Sequence, residues 1–404
     1  MAGIAGVNLT KAKRQNAVAI KEILYKFGPI SRSRIAEMMD LTLPTITTNI
    51  AALISDGIVE ELEDDRPSDA GTLGRKAKPV DVVSGSRYFI GVEIAPNRCV
   101  FCVTDLRLRD LHTLEEYRSN ADYEEMIEYV ARRVKELASQ YGAVKICGIG
   151  VGVPGFVDRR TGTIRSMGRF GWKNKPLAED LRRRTGLPVC VENNVRVRVI
   201  GEDLLNGRIR PETFAYFFVS LGIACPLMIK NSLFSGQSAG AGEIGHMIMQ
   251  VGGPKCDVCG NDGCLDAIAS ESTILKLCRN AMDMGRAETL SSIVEETGRL
   301  TMHEVLKAQQ CNDLMVRSIV KQAVQYLAIA LTNVINFMSP NLVIVDAYVM
   351  KLTENREMFS QIVKQNMYGL NDSEVQIEFK EYDAFGGCKG AAAFAIRQFF
   401  IREI

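Results

Sequence analysis

Apolar side chains at Val18, Ile20, Ile23 and Leu24 recur at the spacing of one helix face, and Gly28 follows as a stop. The next stretch, from Pro29 to Leu62, reads as two short helices and a strand. Ser31 or Ser33 caps the first helix, which runs to about Met39, and Asp40-Leu41-Thr42 turns the chain. Thr42 caps a second helix that starts at Pro44 and ends before Gly57. Its buried stripe is Ile46, Ile50, Leu53 and Ile54, which leaves Thr45, Thr47, Thr48 and Asn49 near its exposed N-terminal end. Ile58 to Leu62 forms a first wing strand. The pattern is that of a winged helix-turn-helix, whose second helix enters the major groove. A small helical bundle with no DNA role is the competing reading.

From Arg87 onward apolar runs alternate with helical patterns, which implies α/β units. "YFIGVEIAPNRCVFCVTDL" is a strand, a turn and a returning strand, and Tyr123 to Tyr141 is a helix. "VKICGIGVGVPGFVDRRTG" is a strand running into a Gly/Pro-rich loop. A further strand pair lies around "FAYFFVSLGIACPLMIKNSLF", then a long helix to Met338 and the strand "NLVIVDAY". The predicted architecture is a winged helix-turn-helix domain with linker over residues 1–80, then a two-lobed α/β domain over 81–404. Lobe one is about 81–200 plus a C-terminal helix 389–404, lobe two is about 201–388, and the two face a cleft.

The net charge of +1 over 404 residues announces no nucleic acid, so any DNA contact must come from a local patch. Residues 1–55 hold seven Lys/Arg against three Asp/Glu, a local net of +4 that suits phosphate contact. Residues 56–70 hold one base against seven acids, a net of −6, so the wing base faces away from DNA. "GTLGRKAKP" then supplies Arg75, Lys76 and Lys78 in a Gly-flanked segment suited to a phosphate or minor-groove contact. The second helix has no Arg or Lys, so readout of operator DNA would lean on Thr42, Thr45, Thr47, Thr48, Asn49 and DNA shape. The N-terminus lacks the apolar core of a signal peptide, and Thr332, Asn333 and Asn336 break the longest apolar stretch, so no membrane partner is expected. Eleven cysteines, an odd number, point to a reducing cytoplasm rather than a disulfide framework.

"AGEIGHMIMQVGGPKCDVCGNDGCLD" brings His246, Cys256, Cys259 and Cys264 into one stretch, separated by nine, two and four residues. One imidazole and three thiolates form a closed tetrahedral set, which in a reducing compartment means structural zinc. Chance clustering and a redox CxxC are the alternatives.

Together "GVGVPGFVD", "GWKNKPL", "VENN", "AGEIGH", "CDVCGNDGCLD" and "GAAAFA" resemble the ROK family of repressors and sugar kinases. The resemblance covers nearly the whole chain. It implies the two-lobed sugar kinase/actin-like ATPase (ribonuclease H-like) fold. Given the N-terminal winged helix, it also implies a sugar-responsive transcription factor, usually a homodimer or homotetramer. One departure touches Cys256: the family separates the first two cysteines by one residue, and here Asp257 and Val258 intervene.

In kinases of the family the motif is Glu-Asn-Asp, and the Asp takes the proton from the sugar hydroxyl; here that position is Asn194, an amide that cannot accept it. The first phosphate loop, Asp-x-Gly-Gly-Thr in the family, has become "EIAPN", with Glu93, Ala95, Pro96 and Asn97. The second, Gly-Thr-Gly-x-Gly, has become "GIACP", keeping only Gly222, and the glycine-rich adenosine segment is Asp346-Ala347-Tyr348. The sugar side is better kept. By the resemblance, Asn193, Glu243 and His246 are sugar contacts, Asp266 replaces a Glu, Gly155 lets backbone approach the ring, and Asn194 lies in the same pocket. His246 would then give one ring nitrogen to zinc and the other to a sugar hydroxyl. The leading expectation is a repressor that senses a sugar or sugar phosphate without phosphorylating it. An active sugar kinase with a regulatory arm and a DNA-binding protein with a mere dimerisation scaffold are the alternatives.

Overall fold

Helix α1, Leu9–Phe27, extends further toward the N-terminus than the apolar spacing predicts, and buries Ile20 and Leu24 completely. There follow β1 (Ile30–Ser31), α2 (Arg32–Met39), α3 (Leu43–Ser55), β2 (Val59–Glu61) and β3 (Pro79–Val82). Ser31 caps α2 by accepting from the Arg34 amide at 3.2 Å, and Asp40 leaves it in the left-handed region. β3 pairs antiparallel with both β1 and β2, so the element order is that expected of a winged helix-turn-helix. The computed structural model describes residues 9–63, 78–96, 98–117, 122–141, 145–206, 209–237, 240–369 and 374–402. Arg75 and Lys76 lie outside the described residues.

The next elements are β4 (Tyr88–Ala95), β5 (Arg98–Asp105), β6 (Asp110–Tyr117), α4 (Tyr123–Tyr141) and β7 (Ile146–Val153). A small antiparallel sheet, β8 (Phe156–Asp158), β9 (Thr163–Met167) and β10 (Trp172–Lys175), precedes α5 (Leu177–Thr185), β11 (Val189–Asn193) and α6 (Asn194–Asn206). The main sheet runs β6-β5-β4-β7-β11. Its first two neighbouring pairs are antiparallel and its last two parallel.

The second sheet repeats this plan with β12 (Phe214–Val219), β13 (Ile223–Ala224), β14 (Leu227–Ile229), β15 (Ser232–Leu233), β16 (Leu342–Ala347) and β17 (Gln376–Phe379). Its order, β15-β14-β12-β16-β17, has the same sequence of antiparallel and parallel pairs, with β13 attached to β12. Helices α7 (Leu265–Ala269), α8 (Glu271–Asp283), α9 (Glu288–Thr297), α10 (Met302–Gln310), α11 (Leu314–Met338) and α12 (Thr353–Asn366) complete that half. α11 is long and apolar enough to cross a membrane, yet one face of it is core: Val316, Val320, Val324, Leu327 and Leu331 are fully buried.

The chain divides into two compact units, Met1–Arg210 with Phe385–Ile404, and Pro211–Ala384. The expected lobe boundary at residue 200 is therefore corrected. α6 continues to Asn206 as part of the first unit, which also takes in the N-terminal head. The return crossing precedes α13 (Gly386–Ala395) and the π-helical turn Ile396–Ile401, rather than falling at residue 389.

α13, almost free of large side chains, lies directly on the first sheet. A Cβ on Gly91 would stand 1.9 Å from the Cys388 carbonyl oxygen, and one on Gly150 1.8 Å from that of Ala391. Gly150→Ala should therefore force the helix off the sheet and cost about 1–3 kcal/mol or more, as overpacking does. Gly85→Ala, whose nearest contact is at 3.7 Å, should be close to neutral. Urea unfolding of both variants checks this, and equal midpoints would contradict the packing.

Candidate functional site

β11 delivers Glu192 and Asn193 to the start of α6. Asn193 is 6% exposed, and its Oδ1 accepts from the amides of Val195 (2.9 Å) and Arg196 (3.2 Å), capping the helix. Its Nδ2 donates to the Gly155 carbonyl at 3.0 Å. Gly155 has φ +90, and a Cβ there would meet the Ser166 carbonyl at 2.4 Å, so only glycine makes this turn. The structure thus brings Gly155 and Asn193 together. Asn194 instead points its amide toward Glu93, 3.4 Å away.

The expected first phosphate loop is closed from within. Glu93, 2% exposed, pairs with the buried Arg198 at 3.5 Å. A Cβ on Gly387, in the first turn of α13, would come within 2.1 Å of the Glu93 carboxyl, so that helix end abuts the acid. In the second unit the Ile223 amide of the other altered loop donates to Asp266 Oδ1 at 2.8 Å. Asp346 accepts from the Tyr216 hydroxyl at 2.7 Å, and the following Tyr348 amide donates to Glu271 Oε1 at 3.0 Å. Burial pushes the Glu271 carboxyl up to about 8. Protein carboxyl groups therefore occupy amide donors in two of the three segments where a nucleotide would need them.

Glu243 precedes the short 3₁₀ turn Ile244–His246, which presents the imidazole to the cysteine loop. His246 Nδ1 lies 3.8 Å from Cys256 Sγ, and Cys259 Sγ lies 3.5 Å from Cys264 Sγ. All four ligand atoms fall within 4.8 Å of one another. Bonds of about 2.0–2.3 Å to a tetrahedral ion put its ligands about 3.3–3.8 Å apart, so the set fits a metal. The extra residue between Cys256 and Cys259 is absorbed by a tight turn, in which Cys256 donates its amide to Asn261 O at 2.8 Å and Gly260 returns its own to Cys256 O at 2.9 Å.

Thr42, just before α3, and Thr47 and Thr48 on it are exposed, and Thr45 is half-buried. The Thr42 hydroxyl faces that of Thr45 at 2.9 Å and makes no side-chain cap. Asn49 departs from expectation. It lies three residues from Ile46 and four from Leu53 on the buried face, 8% exposed, with its amide donating to the Thr45 carbonyl at 2.8 Å. It is not on the presented surface.

Sequence reading missed the buried charges of α6. Val195 to Leu204 are all buried, including Arg196, Arg198, Glu202 and Asp203. Arg196 pairs with Glu192 at 3.3 Å and Glu202 with Arg210 at 2.5 Å. Asp203 pairs with Lys26 at 2.9 Å and with Arg397. Four charges within the apolar run "VRVRVIGEDLL" were the available signal.

A profile described as the ROK family matches residues 89–398. The xylose repressor of Bacillus subtilis (strain 168) is 27% identical over 378 residues, covering 90% of this chain and 91% of that protein. A crystal structure described as a ROK family transcriptional regulator, homolog of the E. coli MLC protein, superposes with a TM-score of 0.80 at 19% identity, covering 97% of this chain and 98% of the other. The ROK hexokinase from Thermus thermophilus superposes with a TM-score of 0.60 at 25% identity, covering 76% of this chain and 97% of its own.

The Glu93–Arg198 pair offers a direct test of the closed first loop. Arg198→Met leaves a buried carboxylate without its cation and should cost about 3–5 kcal/mol, while Glu93→Leu with Arg198→Met together should cost much less than the sum. Denaturant unfolding of the two single variants and the double variant measures the coupling, and simple additivity would contradict the pairing.

Proposed function

The chain belongs to the ROK family, and from that premise we propose that it is a DNA-binding transcriptional repressor whose kinase-like domain senses a sugar or sugar phosphate without phosphorylating it. The observation that supports the reading is the coexistence of an N-terminal head in the element order of a winged helix-turn-helix with nucleotide segments satisfied by the protein's own side chains. The similarity to a xylose repressor over nine-tenths of both chains supports the same reading.

Proposed ligand contacts are Gly155, Asn193 and Asn194 in the first unit, and Glu243, His246 and Asp266 in the second. Asn193 already uses both ends of its amide, so a sugar hydroxyl there must compete with the α6 cap or the Gly155 carbonyl. Asp266 is partly committed to the Ile223 amide, which favours ligands that need less from it than a kinase substrate would. Asn194 cannot act as a base. Operator DNA is proposed to meet Thr42, Thr45, Thr47 and Thr48 on α3, with Arg75 and Lys76 contributing phosphate contacts. A homodimer or homotetramer would present two such helices to two half-sites. Eleven free cysteines suit a reducing cytoplasm.

The alternative, an active sugar kinase, is favoured by the structural likeness to a hexokinase and disfavoured by Glu93, Pro96 and Asn194. The discriminating experiment offers ATP with D-xylose, D-glucose or N-acetyl-D-glucosamine to the full-length protein, alongside selection of bound duplexes from random DNA. The reading predicts an enriched duplex motif and no sugar-stimulated ATP turnover. Turnover above background with any sugar would overturn it.

The metal held by His246, Cys256, Cys259 and Cys264 is proposed to be structural zinc. A bound zinc ion supplies folding energy through its closed ligand set and fixes the His246 ring, leaving Nε2 for a ligand hydroxyl. Elemental analysis should find one zinc per chain, and Cys264→Ser should lose it and lower the second unit's unfolding midpoint by about 5 °C or more. Metal-free protein from chelator-free purification, as stable as the loaded form, would contradict this.

A further inference from the structure

α6 joins two functional ends of the first unit. Its N-terminus is capped by Asn193, the proposed sugar contact, and ten residues later Asp203, 2% exposed, holds Lys26 Nζ of α1 at 2.9 Å. At the helical rise those ends are about 15 Å apart. α1 in turn packs against α3, the proposed recognition helix.

Among the described residues, polar pins at Lys21, Arg107 and Lys26 fix the N-terminal head to the rest of the unit. Lys21 Nζ donates to the Phe400 carbonyl at 3.0 Å. Arg107, from the turn between β5 and β6, donates to the Tyr25 carbonyl at 2.9 Å and pairs with Asp81 on β3. The third pin is Lys26–Asp203–Arg397. Of these three, the Asp203 pin alone lies on the helix that Asn193 caps.

We propose that Asp203 is the positioning residue through which sugar occupancy at Asn193 reaches the DNA-binding head; the inference rests on the sugar-sensing reading above. A sugar hydroxyl that takes over Asn193 Oδ1 removes the α6 cap, and one that takes over Nδ2 releases Gly155. Either change alters where α6 begins. The helix is buried from Val195 to Leu204, so a close-packed surround passes the displacement on instead of absorbing it. At the far end Lys26 and Arg397 share the buried Asp203 carboxylate, so its displacement is felt by both cations. Lys26 therefore follows Asp203 or the pair breaks, and α1 has two discrete arrangements rather than a continuum.

The test uses full-length protein, a duplex selected by that protein, and D-xylose, D-glucose and N-acetyl-D-glucosamine as probes. Lys26→Met removes the α1 side of the pin and leaves Asp203 paired with Arg397, so no buried charge is orphaned. Lys26→Arg keeps the pin. In wild type, and in Lys26→Arg, the sugar that binds should change duplex affinity about tenfold. Lys26→Met should bind the duplex and that sugar each within about threefold of wild type, yet show less than about a twofold change on adding one to the other. Hydrogen exchange gives a second readout. The sugar should alter protection of the α1 amides around residues 21–27 in wild type and leave them unaltered in Lys26→Met. A full response in Lys26→Met overturns the role of Asp203 alone, and so does a lost response accompanied by lost sugar binding. No response to any of the three sugars in wild type overturns the sensing reading, and this inference with it.

Discussion

Charge buried along one helix is the constraint on which the first unit depends. α6 carries Arg196, Arg198, Glu202 and Asp203 inside the protein, and each has to find its partner on a different element: β11, β4, the segment after α6, and α1 with the C-terminal turn. Ion pairs of this kind add little net stability, because desolvation offsets their attraction, but misplacing any of them leaves an uncompensated charge. They therefore fix α6 in register with the sheet, with the C-terminal turn and with the N-terminal head more tightly than apolar contact alone would. The glycines of β4 and β7 serve the same arrangement by letting α13 approach the sheet at backbone distance.

The same economy underlies the proposed loss of phosphoryl chemistry. A nucleotide site consists of backbone amides aimed at oxygen anions, with glycines that let the phosphates approach. Here Asp266 and Glu271 provide oxygens to such amides, and the Glu93–Arg198 pair occupies the first loop's acidic position. The donors are satisfied, so folding no longer leaves them waiting for a ligand. Gly155 and Asn193, the proposed sugar contacts, keep a polar arrangement open to exchange, because an amide can give up one hydrogen bond for another at little cost. That combination favours a binding domain over a catalyst.

Much of this was legible in the sequence where local rules dominate. A serine cap at Ser31 or Ser33, the end of α2 at Met39, a strand near Val59 and the clustering of His246 with Cys256, Cys259 and Cys264 follow from capping, spacing and donor chemistry. Where tertiary packing decides, the reading failed. Asn49 was placed on the outer face by its polarity, but helical geometry puts it with Ile46 and Leu53, and it satisfies its amide on the Thr45 carbonyl. The boundary at residue 200 missed the last six residues of α6, because charged residues in an apolar helix look like its end when their partners are distant in sequence. Lys26 and Asp203 are 177 positions apart, which no local pattern can connect.

The central claim is that one protein binds DNA and a sugar as linked equilibria without chemistry between them. Isothermal titration of the selected duplex with and without saturating sugar, and of the sugar with and without saturating duplex, tests it most directly. The account predicts that each ligand weakens the other by the same factor, since binding linkage is reciprocal. A duplex affinity unchanged at saturating sugar would contradict it.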